Sequence, residues 1–253
     1  MRATYVGTSA SMTARDLTRQ RLVLALALAV PAVFFAAVFA TTGERPVPIT
    51  LAAGDGRVMM VDERRQSLLF IGIAASGLIS AFFASSLIQR QLNANRRLVL
   101  CGYRAAELIA ARLAVLLGIV AITALYTWLA LSLFSSPRFP TGVLLGLTVG
   151  AFVYGCYGLL VGTLVRRELE SIFAILVLVN IDAGWLQNPI YYQNAGSKWL
   201  IKALPAYYPS QIAYRSAFAS GNMGELVAYG LAYGTALLLV AVALYAVRMR
   251  IAR

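Results

Sequence analysis

Histidine is absent from the 253-residue sequence, and cysteine occurs only twice, as Cys101 and Cys156. The lack of histidine excludes Ser-His-Asp and Cys-His catalytic arrangements as well as histidine metal sites. The cysteines form no Cys-x-x-Cys motif, which excludes a zinc knuckle and a disulfide framework. The phosphate-binding P-loop is missing too, because Lys198 lacks the required first glycine and the following hydroxyl residue. Any ATP-driven work must therefore come from another polypeptide.

Charged residues are also scarce. They make up 13% of the sequence, whereas hydrophobic residues make up 60%, and the mean hydropathy is +0.75. A soluble globular chain has about 25% charged and about 45–50% apolar residues. The composition therefore excludes an ordinary soluble domain, and it is too hydrophobic for a disordered chain.

Six apolar stretches are long enough to cross a hydrocarbon core, which takes about 20 residues of helix. They predict an all-α integral membrane protein with one transmembrane domain over residues 1–253 and no nucleotide-binding domain. The fifth stretch is the weakest, because Asn180 and Asp182 interrupt it. The predicted spans are Leu22–Thr41, Leu68–Ile88, Leu113–Phe134, Val143–Val165, Ser171–Gln187 and Leu226–Val247.

Basic residues are distributed unevenly between the connections on the two sides of the membrane. Connections on the side of the termini carry 14 Lys and Arg in 56 positions, and those on the other side carry 8 in 72. Cytoplasmic connections are enriched in Lys and Arg, so both termini are predicted to be cytoplasmic. The basic residues form no single stripe, so the net charge of +12 predicts contacts with membrane lipids and no nucleic-acid partner.

The connection between the second and third spans, residues 89–112, surrounds an aliphatic patch with arginines. The patch is Leu98-Val99-Leu100; Gly102 breaks the helix after it, and Glu107 opens the next helical stretch. Two interpretations stay open on these residues alone. The segment is either a positively charged loop whose arginines reach lipid headgroups, or a short helix whose apolar face docks into a partner protein.

The fourth and fifth spans contain small and polar residues. Glycines at spacings of four over Gly142–Gly162 predict close helix packing inside the subunit.

Asp182 is the one acid inside a span, and an intramembrane acid indicates a functional site by default. We favour the structural alternative, in which it pairs with Arg215, Lys198 or Lys202 near the outer interface.

Aromatic residues and prolines crowd the long outer segment, residues 187–225. Tryptophan and tyrosine belong at the membrane interface, so short helices that are interrupted by prolines and enter the membrane from outside are predicted there.

At the N-terminus, the stretch Thr13–Arg21 directly precedes the first span. It is predicted to be a short interfacial helix with its arginines at the headgroups.

These features together resemble one family over nearly the whole chain, the type-2 permease subunits of bacterial ABC exporters. Arg15–Leu17, ahead of a Leu-rich span with Pro31, is similar to the start of that family. The run Leu98–Glu107, with Arg112 five residues later, is similar to its coupling segment, although a glycine stands where proline is common. Leu204–Pro209 resembles the return of its outer hairpin.

The resemblance implies an N-terminal interfacial helix, a cytoplasmic coupling helix between spans two and three, and an extracellular re-entrant hairpin between spans five and six. Nucleotide-binding ATPase subunits, which carry ATP and magnesium, would dock on the coupling helix, and no catalytic, cofactor or metal residue is expected in this chain. The implied coupling residues are Arg96, Arg97, Leu98, Val99, Leu100, Gly102, Tyr103, Arg104 and Glu107. The implied hairpin residues are Asp182, Lys198, Trp199, Pro205, Tyr207, Tyr208, Pro209 and Arg215.

In that family, spans two and five of two permease chains, alike or different, line the substrate pathway. Helical spacing puts one stripe of residues on a single face of each of these spans. The stripes mix apolar surface with a few neutral polar groups, as a site for amphipathic ligands requires, and close helix packing is the alternative explanation. The predicted pathway residues are Gly72, Ser76, Ser80 and Phe83 in span two, and Phe173, Leu176, Asn180 and Gly184 in span five.

The predicted function is the membrane subunit of an ABC exporter for a drug, a lipid or another amphipathic compound, in the bacterial inner (plasma) membrane. Two alternatives stay open. One is a non-transporting membrane protein, such as an immunity or assembly factor. The other is a membrane-embedded lipid enzyme, for which the sequence offers no constellation of nucleophile, base or metal ligands at depth.

Overall fold

A computed structural model describes residues 2–51, 58–90, 105–165, 167–192, 196–219 and 222–250. Within these residues the chain is mostly helical. The helices are α1 (Arg2–Arg19), α2 (Arg21–Thr41), α3 (Glu63–Gln89), α4 (Ala105–Ser132), α5 (Pro140–Leu164), α6 (Glu168–Ile181), α7 (Pro189–Tyr192), α8 (Lys198–Lys202), α9 (Tyr207–Phe218) and α10 (Gly224–Arg250). A π-helical turn, Asp182–Leu186, continues α6.

Six helices of the described residues are long and apolar enough to cross a membrane: α2, α3, α4, α5, α6 with its π-helical turn, and α10. Each overlaps one predicted span. Hydrocarbon offers no hydrogen-bond partners to the backbone, and a continuous helix pairs its own N–H and C=O groups. The prediction of a helical multi-pass membrane protein is thereby confirmed. Following the predicted orientation, we call the end that holds Gln89 and Leu164 the inner end, and the end that holds Glu63 and Pro140 the outer end.

Helix α5 is the centre of the bundle and contacts α3, α4, α6, α9 and α10. Its glycines make these contacts close. A Cβ atom at Gly158 would lie 2.6 Å from the Cα of Ala81 in α3, and one at Gly146 would lie 2.8 Å from the backbone nitrogen of Ala213 in α9. Small residues let helix backbones approach this closely. The prediction that the glycines serve packing inside the subunit is confirmed.

A two-stranded antiparallel hairpin lies between α2 and α3, where the sequence analysis predicted no strand. Strand β1 (Pro46–Thr50) pairs with β2 (Val58–Asp62), with Val47 opposite Val61. Prolines such as Pro48 cannot donate to a ladder, so they argue against a strand in a sequence pattern. A two-stranded sheet tolerates them, because each of its strands has a free edge.

Arg64, in the first turn of α3, holds this hairpin region against the end of α2. Its Nη1 lies 2.7 Å from Oε1 of Glu44, and its Nε donates to the carbonyl oxygen of Thr42 at 2.9 Å. The guanidinium carbon lies 4.8 Å from the centre of the Phe39 ring. Arg64 and Glu44, which are 20 residues apart in the sequence, are therefore paired in space.

The segment between α6 and α10 folds against α5. Within it, α9 runs antiparallel to α5: a Cβ at Gly142 would lie 2.8 Å from the Cβ of Ser216, and one at Gly150 would lie 3.3 Å from the Cβ of Pro209. Gly150 is ten residues after Pro140, which corresponds to about 15 Å of helix. Helix α9 therefore begins deep in the bundle and ends near the outer end.

Candidate functional site

Asp182, the first residue of the π-helical turn, is the one buried acid among the described residues, with an exposed fraction of 0%. Its carboxylate accepts three hydrogen bonds. Tyr154 Oη donates to Oδ2 at 2.6 Å, the backbone nitrogen of Ala206 donates to Oδ2 at 2.8 Å, and Gln187 Nε2 donates to Oδ1 at 3.1 Å. The carboxylate therefore joins α5, the π-helical turn and the start of α9 at one point.

The partners of Asp182 differ from the expected cations. The pairing with Arg215, Lys198 or Lys202 is wrong for the described part of the chain, where none of the ion pairs includes Asp182. Lys198 and Lys202 are exposed, and Arg215 donates to a backbone oxygen of the loop before α10. The donors that replace the cations are neutral.

Depth explains this difference. Asp182 is 14 residues after Glu168, where α6 begins at the inner end, and Tyr154 is 14 residues after Pro140, where α5 begins at the outer end. Each distance corresponds to about 21 Å of helix. The cluster around Asp182 therefore lies near the middle of the bundle. At this depth, backbone and hydroxyl groups of neighbouring helices serve as its hydrogen-bond donors.

Two glutamines extend the hydrogen bonding from Asp182 towards the outer end. Gln187 Nε2 also donates to the carbonyl oxygen of Ile201 in α8, at 3.1 Å. Gln66 Nε2 of α3 donates to Oδ1 of Asn188 at 3.1 Å. Both glutamines are buried, so their bonds form away from water, where losing a partner is costly. Gln187 thereby ties the end of the π-helical turn to α8, and Gln66 ties Asn188 to α3.

The cluster suits structural hydrogen bonding better than reaction chemistry. Both oxygens of Asp182 already accept from groups of the protein. Because the side chain is buried, a substrate cannot touch it in this state of the molecule. A general acid or base has to come within hydrogen-bond reach of the reacting group.

The predicted stripe on span five lies on the outside of the chain. Phe173 is 70% exposed and Leu176 is 38% exposed, Asn180 is exposed, and Gly184 is half-buried. Asn180 Nδ2 donates to the carbonyl oxygen of Leu176 within the same helix, at 2.8 Å. Asp182 points to the opposite side, into the bundle. A membrane lipid or a second chain can reach the stripe.

The predicted stripe on span two is buried inside the chain, at Gly72, Ser76, Ser80 and Phe83. A Cβ at Gly72 would lie 3.6 Å from the ring of Phe35. In this structure the helix-packing explanation therefore applies to the four residues, which form no open surface. The half-buried residues of α3 include Ala75, Ile79 and Phe82, on another face of the helix.

The predicted hairpin residues divide into a buried and an exposed group. Pro205, Tyr207 and Pro209 are buried, Tyr208 and Arg215 are half-buried, and Lys198 and Trp199 are exposed. The ring of Tyr208 lies 5.1 Å from that of Tyr207 and 5.8 Å from that of Tyr229 in α10, between ring centres. Aromatic contacts thus attach the start of α9 to the last span.

The predicted coupling residues from Arg96 to Arg104 lie outside the described residues. Glu107 is half-buried in the first turn of α4. Beside this connection, the inner ends of α3 and α6 are linked by Arg90, whose Nη2 lies 2.5 Å from Oε1 of Glu168. The start of this connection is therefore tied to α6.

Sequence reasoning missed Tyr154 and Gln187 as partners of Asp182. Tyr154 lies between glycines of α5 and is fully buried. A single tyrosine in an apolar helix gives no signal of its own, because the sequence does not show which neighbour its hydroxyl meets. Gln187 was assigned to the end of span five, where a polar residue is ordinary.

No protein-family model matches the sequence, and a comparison with curated proteins finds no match. The function has to be argued from the residues and their arrangement.

Proposed function

We propose that the chain is the membrane-spanning permease subunit of an ATP-binding cassette exporter. It would pair with a second permease chain, alike or different, to form the translocation pathway for a drug, a lipid or another amphipathic compound. Separate ATPase subunits, which bind ATP and magnesium, would drive the transport. The proposed location is the bacterial plasma membrane, with both termini in the cytoplasm.

The observation that carries the proposal is the course of the chain between α6 and α10. Ala206 reaches Asp182 near the middle of the bundle, and α9 then runs back along the glycine face of α5 towards the outer end. A segment that enters from outside and returns to the same side is a re-entrant hairpin. The resemblance implies such a hairpin between spans five and six, and an interfacial helix such as α1 ahead of the first span.

The exposed face of α6 supports pairing with a second permease chain. Asn180 lies on this face two residues from the mid-depth Asp182, with Phe173 and Leu176 beside it. An amide that faces hydrocarbon without full hydrogen bonding is costly, and polar side chains in transmembrane helices bond across helix interfaces. In the proposed pathway, α6 contributes this face. The contribution of α3 comes from its half-buried apolar face around Ile79 and Phe82.

Coupling to the ATPase is assigned to the connection between α3 and α4. Residues 98–100 form its aliphatic patch, and an apolar helix face suits docking into a groove of a partner protein. The ion pair of Arg90 with Glu168 supports the assignment, because it links the start of this connection to the pathway helix α6. Movement of a docked ATPase would thereby reach the fifth span.

The test is purification of the tagged chain from its native membrane in mild detergent. A stoichiometric partner with ATPase motifs should appear, and its ATP hydrolysis should depend on this chain. Replacing Leu98, Val99 and Leu100 together with Asp should remove the partner while the chain stays folded. The matched control replaces the exposed outer residues Val58 and Met60 with Asp, which should leave the complex intact.

Two results would contradict the proposal. One is a chain that purifies without any ATPase. The other is a triple-Asp variant that retains its ATPase and full transport activity in reconstituted vesicles.

A further inference from the structure

Arg112, on the third span, is buried near the inner end of the bundle. It lies seven residues into α4, about 10 Å from the start of the helix, and its exposed fraction is 4%. Its guanidinium carbon is 4.9 Å from the centre of the Tyr245 ring in α10. The nitrogens Nη1 and Nη2 have no hydrogen-bond acceptor in the structure as described. A buried guanidinium in this position lacks the anion that it normally requires.

Among the described residues, no side-chain carboxylate supplies the missing anion. The sequence has ten acids, and all but Asp55 lie within the described residues. The ion pairs among those residues leave Arg112 out. The ring and the hydroxyl of Tyr245 offset part of the cost of burying the charge, but this side chain is neutral and supplies no anion.

A small cleft beside Arg112 lies between four helices. It is lined by Ile88 of α3, Leu113 of α4, Leu159 and Thr163 of α5, and Ala241 of α10, in addition to Arg112 and Tyr245. The cleft is partly open and measures about 20 Å³, which is room for one water molecule. The guanidinium nitrogens of Arg112 are themselves buried, so a group larger than water would sit at the mouth of the cleft, and the long arginine side chain would turn its head towards it on binding.

A second arginine lies beside the cleft and is bonded to Thr163, one of the lining residues. Arg248, near the end of α10, donates from Nη1 to the carbonyl oxygen of Thr163. Leu244 and Val247 on the same helix are exposed, as expected for side chains that face lipid. Apolar walls, the guanidinium group of Arg112 and the neighbouring guanidinium group of Arg248 thus lie together at the inner end of the bundle.

We propose that this cleft binds a phosphate-bearing anion, supplied by the headgroup of an acidic phospholipid, through Arg112 and Arg248. Guanidinium groups bind phosphate oxygens in a bidentate manner, and basic pockets between transmembrane helices on the cytoplasmic side are suited to anionic headgroups. The acyl chains would lie along the apolar residues of α10. This inference does not rest on the proposed transport function.

The experiment measures thermal unfolding of the full chain in detergent with three additives: phosphatidylglycerol, diacylglycerol with the same acyl chains, and inorganic phosphate. Phosphatidylglycerol should raise the Tm by about 5 °C or more, and diacylglycerol should not. If inorganic phosphate alone gives the same rise, the bound anion is free phosphate rather than a headgroup. An equal rise with diacylglycerol would overturn the proposal, because it carries no phosphate.

The decisive variant is Arg112→Met, with Arg138→Gln at the outer end as the control. Replacing a buried charge by an apolar side chain of similar length often leaves stability unchanged or increases it. Arg112→Met should therefore fold without added lipid and lose the rise in Tm, whereas Arg138→Gln should keep it. Retention of the full rise in Arg112→Met would overturn the proposal.

A second measurement covers the case in which Arg112→Met does not fold. Arg112→Lys keeps the charge but loses the bidentate geometry. Native mass spectrometry should count fewer bound phosphatidylglycerol molecules on Arg112→Lys than on the unmodified chain. An unchanged count would overturn the proposal.

Discussion

Replacing Asp182 with Asn tests whether this buried acid is structural. The substitution keeps the size of the side chain but turns one acceptor oxygen into a donor. In the protein, Oδ2 accepts from Tyr154 and from the backbone nitrogen of Ala206, and Oδ1 accepts from Gln187. If the new NH2 group points towards α9, it opposes the N–H of Ala206, which cannot accept. If it points towards Gln187, that amide must turn and give up its bond to Ile201.

Either orientation leaves at least one buried backbone group without its partner. An unsatisfied buried polar group costs about 1–3 kcal/mol. We therefore expect Asp182→Asn to lower the free energy of unfolding by about that amount. Total stabilities of folded domains are about 5–15 kcal/mol, so folded protein should still form, at a lower yield. Asp182→Leu removes the acceptor of all three donors and should cost more.

The assay is the yield of monodisperse protein on size-exclusion chromatography in detergent, together with the Tm. The matched control is Asn180→Leu, two residues away on the exposed face, whose Nδ2 bonds only within its own helix. This control should keep wild-type yield and Tm. If Asp182→Asn kept full yield and Tm but abolished transport of cationic substrates, the structural role would be refuted and Asp182 would belong to the pathway.

Two further predictions concern packing and topology. Gly158→Ala should destabilise the protein by about 1–3 kcal/mol, because the added Cβ would lie 2.6 Å from the Cα of Ala81, well inside an ordinary contact of 3.4 Å. Gly118→Ala, with nothing within 4 Å of its added Cβ, should leave the Tm unchanged or raise it, and equal effects of the two changes would contradict the packing argument. Cysteines placed at Arg138 and at Arg97 in a cysteine-free background should react with an impermeant thiol reagent from opposite sides of the membrane. Labelling from the same side would rule out six spans.

The sequence analysis predicted the fold well wherever composition alone decides it. Hydrocarbon forces continuous helices of a minimum length, so a run such as Leu22–Thr41 predicts a span directly. The glycine spacing in α5 is a local periodic pattern, and it predicted close helix packing inside the subunit. The β-hairpin before α3 was not predicted, because it depends on pairing between two short strands, the first of which contains prolines.

The sequence by itself determined the class of protein, the number and order of its spans, and the faces on which residues lie together. Helical periodicity shows which residues share a face, but not which neighbour that face meets. Only the tertiary structure decided that the stripe with Ser76 and Ser80 is buried while that with Asn180 is exposed. It also decided that Asp182 bonds to Tyr154, 28 residues earlier, and to Ala206, 24 residues later, instead of a nearby lysine. Such contacts between distant residues arise from how the helices pack, so no local pattern in the sequence predicts them.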